Sequence, residues 1–216
     1  MNQKNTYAVF GLGRYGMAVA RELIKNKKDV LAIDINEENV NDAIDFIPIC
    51  KCADITDINV IKELGIKNVD TVIIAIASNL EASVMAVTLC KEVGVETVIV
   101  KCANEMHKKI LYKVGADKVV FPEDESGTRL AKNLVSSGIS DIFELSDDCS
   151  IMEINIPAKW VGKTLIDLAL RKKYSINVIA IKNGDNTIID INPEMPLTST
   201  MSLIVVADEK KIKNLL

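Results

Sequence analysis

A glycine-rich turn near the start of the chain has the residue types and spacing that hold a nucleotide. Within FGLGRYG, the residues Gly11, Gly13 and Gly16 form a GxGxxG pattern, and Asp34 ends the next apolar run. The first glycine of such a pattern permits a tight turn, the second lets the backbone approach a pyrophosphate, and the third lets the following helix lie close to its strand. An acidic residue at the Asp34 position accepts hydrogen bonds from ribose hydroxyls and disfavours a ribose 2′-phosphate. The pattern therefore favours NAD or an adenine nucleotide over NADP.

This interpretation requires a strand before the turn and a helix after it. TYAVF is an apolar run of strand type, and AVARELI has apolar residues at helical spacing. Helical patterns then alternate with further apolar runs, namely VLAID, IPIC, TVIIAIA, TVIVK and KVVF. The alternation predicts βαβ units around a parallel sheet. The alternative interpretation is a doubly wound sheet whose glycines serve packing alone.

Three further glycines support the predicted helices. Gly65, Gly94 and Gly115 each follow a helical pattern just before an apolar run. A helix commonly ends at a residue in the left-handed conformation, which glycine adopts without steric cost. We therefore expect left-handed helix ends at all three positions.

The pattern changes after KVVF, which predicts a second and smaller unit. Pro122 opens EDESGTRLAKNLVSS, whose apolar residues make one stripe of a connecting helix. After SDDCS come a predicted strand SIMEINIP, a helix KTLIDLALRKKY, and the strands INVIAIK, NTIIDI and MSLIVVAD. The predicted fold class is α/β: a Rossmann-like doubly wound parallel sheet with a crossover helix and a small α+β C-terminal domain. The predicted boundaries are 1–121 for the first domain, 122–138 for the crossover helix and linker, and 139–216 for the last domain.

The amino-acid composition is that of an ordinary globular protein. The chain has 216 residues, 49% hydrophobic and 26% charged, with a net charge of -4, which argues against nucleic acid as a partner. No apolar stretch approaches the roughly 18 residues of a spanning helix, and the start lacks a leader pattern, so we expect a cytoplasmic protein. The five cysteines have no CxxC spacing and are interpreted as reduced thiols, mostly in the core.

Residues that follow the predicted strands are the next candidates, because ligands of open parallel sheets lie beyond the carboxyl ends of the strands. Arg14 starts the first helix, where its side chain could reach a di- or triphosphate; the alternative is a solvated surface arginine. Asn79 and Asn104 have two equally weighted interpretations, as helix N-caps or as ligand contacts. His107, taken by itself, is interpreted as a surface residue. The remaining candidates of this kind are Asp54, Ile76 to Ser78, Lys101 to Ala103 and Glu123.

The sequence offers little for catalysis. It has one histidine, no His/Cys/Asp/Glu set with metal-ligand spacing and no GxSxG motif. A dehydrogenase needs a proton donor or acceptor near the nicotinamide, and none is apparent. A sensor is therefore favoured over an enzyme, with an NAD-dependent oxidoreductase as the alternative.

Several motifs together resemble one family. They are FGLGRYG followed by LAIDINEENV, then VIIAIASN, VKCANEMHKKIL, GADKVVFPED and ELSDDCSIMEI. With these motifs the chain resembles the RCK family of regulators of potassium conductance, of the KtrA/TrkA type found in bacterial potassium-uptake systems. The resemblance spans essentially the whole chain and includes a C-terminal RCK-C (TrkA-C) domain.

The resemblance implies a regulatory subunit without enzymatic activity. It implies binding of ATP, ADP or NAD(H), pairing of two copies through the crossover helix after Pro122, and assembly into a ring, typically an octamer. The ring would lie on the inner face of the cell membrane beneath a KtrB/TrkH-like channel subunit and regulate potassium uptake. A regulatory subunit of another cation transporter, such as a cation/proton antiporter, is the alternative.

The resemblance also implies roles for individual residues. Arg14 would contact the phosphates, whereas Asp34 and Asn36 would contact the ribose. Asp54 and Ile55 would lie on the adenine side. The full implied nucleotide set is Gly11, Gly13, Arg14, Gly16, Asp34, Ile35, Asn36, Asp54, Ile55, Ile76, Ala77, Ser78, Lys101, Cys102, Ala103, His107 and Glu123.

Two further ligands follow from the resemblance. Glu123 resembles an acidic residue that faces the phosphates of a neighbouring subunit, where Mg²⁺ or Ca²⁺ would offset the charge repulsion.

Some members bind cyclic di-AMP at the dimer interface of the C-terminal domain. The corresponding residues here are Leu170, Arg171, Ile176, Asn177, Val178 and Pro193. The INP sequence departs from the small or serine residue expected near that proline, and an ordinary hydrophobic dimer interface is the alternative.

Overall fold

A computed structural model describes residues 6–135, 138–146, 149–208, 211–212 and 215, and of residues 141 and 144 the backbone alone. The chain divides into two compact units, residues 1–122 and 123–216. Within the described ranges, no helix combines the length and the apolar character that crossing a bilayer requires.

The first unit is a parallel sheet with helices between its strands. Its described strands are β1 (Thr6–Phe10), β2 (Asp29–Asp34), β3 (Ile49–Cys52), β4 (Thr71–Ile74), β5 (Thr97–Lys101) and β6 (Lys118–Val120). Its helices are α1 (Arg14–Lys25), α2 (Glu37–Ala43), α3 (Ile58–Glu63), α4 (Leu80–Glu92) and α5 (Glu105–Lys113). The strands lie in the order β3-β2-β1-β4-β5-β6 and all pair in parallel. The predicted Rossmann-like topology is confirmed.

The core of this unit lies on both faces of the sheet. The central strands β1, β4 and β5 contribute Phe10, Val72 and Val98 to the core on one face and Val9 and Ile73 to the core on the other. Burial on both faces explains why these strands are continuous apolar runs in the sequence. The glycines Gly65, Gly94 and Gly115 have φ of 68°, 88° and 109°, so the predicted left-handed helix ends are confirmed.

The second unit is an antiparallel sheet preceded by a helix. Helix α6 (Pro122–Val135) is followed by strands β7 (Ile139–Ser146), β8 (Cys149–Asn155), β9 (Asn177–Asn183), β10 (Asn186–Ile188) and β11 (Met201–Ala207), with helices α7 (Leu165–Leu168) and α8 (Leu170–Tyr174) after β8. The strand order is β10-β9-β11-β8-β7. Met152, Ile181, Leu203 and Val205 are fully buried beneath one face of this sheet.

Three sequence predictions for the second unit differ from the structure. Strand β7 was not predicted, and the strand predicted over NTIIDI ends at Ile188. The single helix predicted over KTLIDLALRKKY is two helices, α7 and α8. They meet at Ala169, which adopts the left-handed conformation with φ 46° and ψ 41°.

The cysteines are free thiols among the described residues. Cys90 and Cys102 are buried, and burial raises the pKa of the Cys90 thiol to about 12. Cys50 and Cys149 are half-buried, and Cys52 is exposed. The prediction of core cysteines therefore holds for two positions and not for Cys52.

Asp117 ties three elements of the first unit together. Its Oδ2 accepts hydrogen bonds from Lys91 Nζ on α4 at 2.5 Å and from the backbone N–H of Val98 in β5 at 2.6 Å. Partial burial raises the pKa of Asp117, but the hydrogen bonds from Lys91 and Val98 outweigh that effect and lower the pKa below its ordinary value. Its stabilising contribution is therefore present above the unfolded-state pKa and is lost as pH falls through the lower folded-state pKa.

We predict that Asp117→Ala lowers the free energy of unfolding at neutral pH by about 1–2 kcal/mol, because Val98 N–H and the Lys91 ammonium lose their acceptor. Urea unfolding measures the change. The difference in unfolding free energy between variant and wild type should stay constant down to about pH 5 and should narrow as the pH is lowered further toward 3. Asp42→Ala, on the exposed side of α2, is the control with an expected change within about 0.5 kcal/mol. A pH-independent gap would contradict the prediction.

Candidate functional site

A cavity of about 640 Å³ lies at the carboxyl ends of the first four strands of the parallel sheet. This size falls in the range of small-molecule sites. Its position between the ends of β1 and β4 is the point where the strand order reverses, which is where doubly wound sheets bind ligands. The lining residues are Gly11, Gly13, Ile33, Asp34, Ile35, Ala53, Asp54, Ile55, Thr56, Ala75, Ile76, Ala77, Ser78, Asn79, Glu81, Ala82 and Met85.

The glycine turn forms one wall of this cavity. Gly11 has φ 90°, and its N–H donates to the carbonyl oxygen of Ile33 at 2.8 Å. A Cβ at Gly16 would lie 1.9 Å from the carbonyl oxygen of Gly11, so only glycine lets α1 lie this close to the turn. A Cβ at Gly13 would meet no atom within 4 Å. The backbone at Gly13 is therefore open to a ligand, as the middle glycine of the pattern requires.

Asp34 connects the turn to the end of β2. Its Oδ2 accepts hydrogen bonds from the backbone N–H of Leu12 at 2.5 Å and from Asn39 Nδ2 at 3.1 Å. Its Oδ1 accepts from the backbone N–H of Asn36 at 2.8 Å. A carboxylate offers about four acceptor positions. Asp34 is 9% exposed, so it retains some capacity to accept a ribose hydroxyl while it holds the protein backbone.

Charge is unevenly distributed along the cavity. Three carboxylates line it, those of Asp34, Asp54 and Glu81, whereas none of its described lining residues is Lys or Arg. Hydrogen bonds from the hydroxyl and the N–H of Thr56, at 2.7 and 2.9 Å, lower the pKa of Asp54 below its ordinary value. At the glycine turn, Gly13 is the N-cap of α1 and provides no side-chain cap, so N–H groups of the first helical turn remain for an anion. An anionic group is therefore favoured at the turn and disfavoured elsewhere in the cavity.

The structure brings many of the predicted nucleotide-contacting residues together. Nine of them line the cavity: Gly11, Gly13, Asp34, Ile35, Asp54, Ile55, Ile76, Ala77 and Ser78. The other predicted residues of the first unit lie outside that lining: Arg14, Gly16, Asn36, Lys101, Cys102, Ala103 and His107. Glu123 lies in the first turn of α6 in the second unit.

The residues outside the lining have distinct environments. Arg14 is exposed as the first residue of α1, next to the open Gly13. The Nζ of Lys101, the last residue of β5, lies 5.6 Å from the ring centroid of Tyr15. Cys102 is 1% exposed, and its N–H donates to the carbonyl oxygen of Val120 at 2.9 Å. Its side chain therefore faces the core.

Sequence reasoning missed the contribution of α4. Glu81, Ala82 and Met85 line the cavity from the first turns of this helix, and Ala53, Thr56 and Ala75 line it from the strand ends. Asn79 lines the cavity and caps α4, since its side chain accepts from the N–H of Ala82 at 3.0 Å. Asn104 caps α5 in the same way, accepting from the N–H of His107 at 2.9 Å. The helix-cap interpretation is confirmed for both asparagines.

A smaller cavity of about 340 Å³ lies in the second unit. It is lined by Leu165, Ile166, Ala169, Leu170, Arg171, Lys172, Ile176, Asn177 and Val178. Five of the six residues predicted for cyclic di-AMP are in this set. The sixth, Pro193, lies beside it, because its carbonyl oxygen accepts from the N–H of Ile166 at 3.4 Å. Leu170 and Ile176 are buried, so Arg171, Lys172 and Asn177 supply the exposed polar surface.

No group of three or more His, Cys, Asp or Glu side chains in the described part of the chain is arranged to hold a metal ion. A cation at Glu123 would therefore need ligands from elsewhere, such as phosphate oxygens, which suit Mg²⁺.

A parallel sheet in this strand order, with an open glycine turn at the point of reversal, defines a doubly wound domain of the Rossmann class. The TrkA-N domain matches residues 7–122 of the chain, and the TrkA-C domain matches residues 150–216. The chain belongs to the family of proteins built from these two domains, and the resemblance to RCK regulators is confirmed.

Two curated relatives come from Bacillus subtilis (strain 168). Ktr system potassium uptake protein C is 41% identical over 186 residues, which cover 86% of this chain and 84% of that protein. Ktr system potassium uptake protein A is 36% identical over 207 residues, which cover 96% and 93%. Membership of this family supports the interpretation as a regulatory protein rather than an enzyme.

Solved structures show the same fold. The GsuK channel matches with a TM-score of 0.72 at 15% identity, covering 99% of this chain. The GsuK channel bound to NAD matches with a TM-score of 0.57 at 22% identity, covering 98% of this chain. This chain spans 39% and 38% of those two channel chains.

The geometry of the turn predicts losses of stability of very different size for two of its glycines. Gly16→Ala should lower the free energy of unfolding by at least about 2 kcal/mol, because the added Cβ overlaps the carbonyl oxygen of Gly11. Gly13→Ala, the matched control, should cost less than about 1 kcal/mol, since its Cβ meets open space and its φ of -65° is ordinary. Urea unfolding monitored by circular dichroism measures both. Equal losses for the two variants would contradict this account of the turn.

Proposed function

We propose that this chain is the nucleotide-binding regulatory subunit of a potassium-uptake system. It binds an adenine nucleotide in the cavity of the first unit, and the bound nucleotide sets how copies of the chain are arranged beneath a KtrB/TrkH-like membrane subunit. In this proposal the protein is cytosolic and peripheral to the inner face of the membrane, and its copies assemble as dimers into a ring, typically of eight.

One observation carries the proposal. The cavity lies at the point of strand reversal, and it is bounded by a glycine turn whose middle glycine is open to a ligand. Family membership supports the potassium-uptake role, since relatives at 41% and 36% identity are Ktr system potassium uptake proteins.

The charge distribution supports a defined orientation of the nucleotide. The phosphates bind at the N-terminus of α1, where the helix dipole favours anions and where Arg14 adds a charge. The nucleoside then occupies the part of the cavity lined by Asp34, Asp54 and Glu81, whose carboxylates accept hydrogen bonds from hydroxyl and amino groups. ATP and ADP suit this arrangement, and NAD(H) shares the same adenosine half.

The chain would be organised in three parts, residues 1–121, 122–138 and 139–216, with α6 as the pairing helix. Leu130, Leu134 and Val135 on α6 are 60%, 79% and 77% exposed, which supports a surface covered by another copy. In such an assembly Glu123 shares a Mg²⁺ or Ca²⁺ ion with the phosphates of a neighbouring subunit's nucleotide, because an unshielded carboxylate would repel them.

The cavity of the second unit supports a second ligand of cyclic dinucleotide type. Arg171 would pair with a phosphate of cyclic di-AMP, and Asn177 and Val178 would contact the bases. The lining combines the exposed cationic side chains of Arg171 and Lys172 with apolar walls, which suits a ligand that carries both phosphates and flat rings.

Arg14 tests the phosphate end of the site. Arg14→Gln should weaken ADP binding about tenfold or more, equivalent to about 1.4 kcal/mol, because a charge-assisted contact is lost. Isothermal titration calorimetry measures the dissociation constant. Lys25→Gln, at the far end of the same helix, is the control and should bind ADP like the wild type. The fold should be retained, since an arginine at a helix N-terminus contributes no dipole stabilisation. Wild-type affinity in Arg14→Gln would contradict the phosphate role.

Potassium flux tests the regulatory function. A KtrB/TrkH-like membrane subunit is reconstituted in liposomes together with the full chain, and potassium flux is measured with ATP and then with ADP. We expect flux to differ between the two nucleotides and the difference to shrink in Arg14→Gln, because weaker binding leaves the assembly unoccupied. Equal flux with ATP, ADP and no nucleotide would contradict the proposal. Flux of another cation in place of potassium would favour the other-transporter alternative.

A further inference from the structure

The strand order divides the first unit into two halves. Strands β1 to β3 form one half, strands β4 to β6 form the other, and the reversal between β1 and β4 separates them. A dinucleotide that binds such a sheet places one nucleoside over each half, with its pyrophosphate at the glycine turn between them. A mononucleotide needs one half and the turn alone.

The cavity of the first unit covers one of these halves. Its lining comes from residues that follow β1, β2, β3 and β4 and from the start of α4. Among the described lining residues, none follows β5 or β6. The open volume is therefore where an adenosine would bind, and it stops short of the far half of the sheet.

A contact between Lys101 and Tyr15 lies at the entrance to that far half. Lys101 ends β5, and Tyr15 is the second residue of α1, next to the turn where a pyrophosphate would bind. The ammonium nitrogen of Lys101 is 5.6 Å from the centroid of the Tyr15 ring. This distance is within the range of cation–π attraction, and both side chains are half-buried. A side chain from the far half thus reaches to the helix that begins at the glycine turn.

We infer that Tyr15 is a positioning residue: its ring holds the Lys101 ammonium across the far half of the crevice and makes ADP a better ligand than NAD. This inference rests on the proposed function, and it names a residue that determines which nucleotide the site prefers. The second nucleoside of NAD would have to enter where the Lys101–Tyr15 contact lies. Its nicotinamide ring is positively charged and is repelled by the ammonium, whereas the terminal phosphate of ADP is attracted.

ADP and NAD form a matched ligand pair for the test, because NAD contains the whole ADP unit. Calorimetry on the full chain gives both dissociation constants for the wild type, Tyr15→Leu and Tyr15→Phe. NAD should bind the wild type about tenfold or more weakly than ADP. In Tyr15→Leu the ratio of the NAD dissociation constant to the ADP dissociation constant should fall at least about threefold. Tyr15→Phe keeps the aromatic face and should retain the wild-type ratio. Because both dissociation constants are measured on the same variant, a general loss of stability affects them alike and leaves their ratio unchanged.

Several outcomes would overturn the inference. Equal affinity of the wild type for NAD and ADP would contradict it. An NAD/ADP ratio of dissociation constants that is the same in Tyr15→Leu as in the wild type would contradict it as well. Lys101→Met removes the charge from the other end of the contact and should also narrow the ratio, which provides the test if Tyr15→Leu does not fold. Wild-type protein that binds neither ligand would end the proposed function itself, whereas ADP binding with an unaltered ratio would end this inference alone.

Discussion

The hydrogen bonds made by the Asp34 carboxylate fix the shape on which the candidate site depends. A carboxylate this deeply buried is tolerated only when its oxygens are paired, because an unpaired buried charge is strongly unfavourable. The donors are the backbone N–H groups of Leu12 and Asn36 and the side chain of Asn39. One side chain at the end of β2 therefore sets the position of the glycine turn and of the start of α2. The cavity lies between these two segments, the residues that follow β3 and β4, and the start of α4.

A second constraint comes from the closeness of α1 to that turn. Gly16 lies against the carbonyl oxygen of Gly11 and near Ala75, so the helix, the turn and the residue after β4 are packed together without intervening side chains. The first N–H groups of α1 are thus held at the edge of the cavity and do not depend on a mobile loop. Preorganised donors of this kind bind an anion without the cost of ordering them. The same packing keeps Tyr15 next to the point where a phosphate would bind.

Much of the first unit could be predicted from the sequence, because several signals agreed there. Apolar runs, helical spacing and glycines at helix ends each indicated βαβ units. The second unit offered weaker signals. Strand β7 pairs with β8 through register shifts between Ile139 and Asp141 and between Glu144 and Ser146, so its apolar residues do not alternate regularly. The break between α7 and α8 falls at Ala169, and alanine at a left-handed position has no sequence signature.

The candidate site was predictable where it depends on strand ends and not where it depends on a helix face. Helix α4 is buried over much of its surface, at Ser83, Ala86, Val87, Leu89 and Cys90. No polar stripe in its sequence therefore marks the side that carries Glu81 and Met85. The contact between Lys101 and Tyr15 joins residues far apart in the chain, and periodicity carries no information on such a pair.

The proposed regulation needs a physical route from the crevice to the pairing helix, and the far half of the sheet provides a short one. Lys101 ends β5, which pairs with β6 in parallel register from Ile99 to Lys101. The N–H of Cys102 extends that pairing through the carbonyl oxygen of Val120, two residues before α6 begins. Under the proposed function, a ligand that draws Lys101 away from Tyr15 would act on the end of β5 and, through the hydrogen bonds between the strands, on β6, which leads directly into α6. Packed interfaces have discrete arrangements rather than a continuous range. A shift at the start of the proposed pairing helix would therefore favour one arrangement of two copies over another.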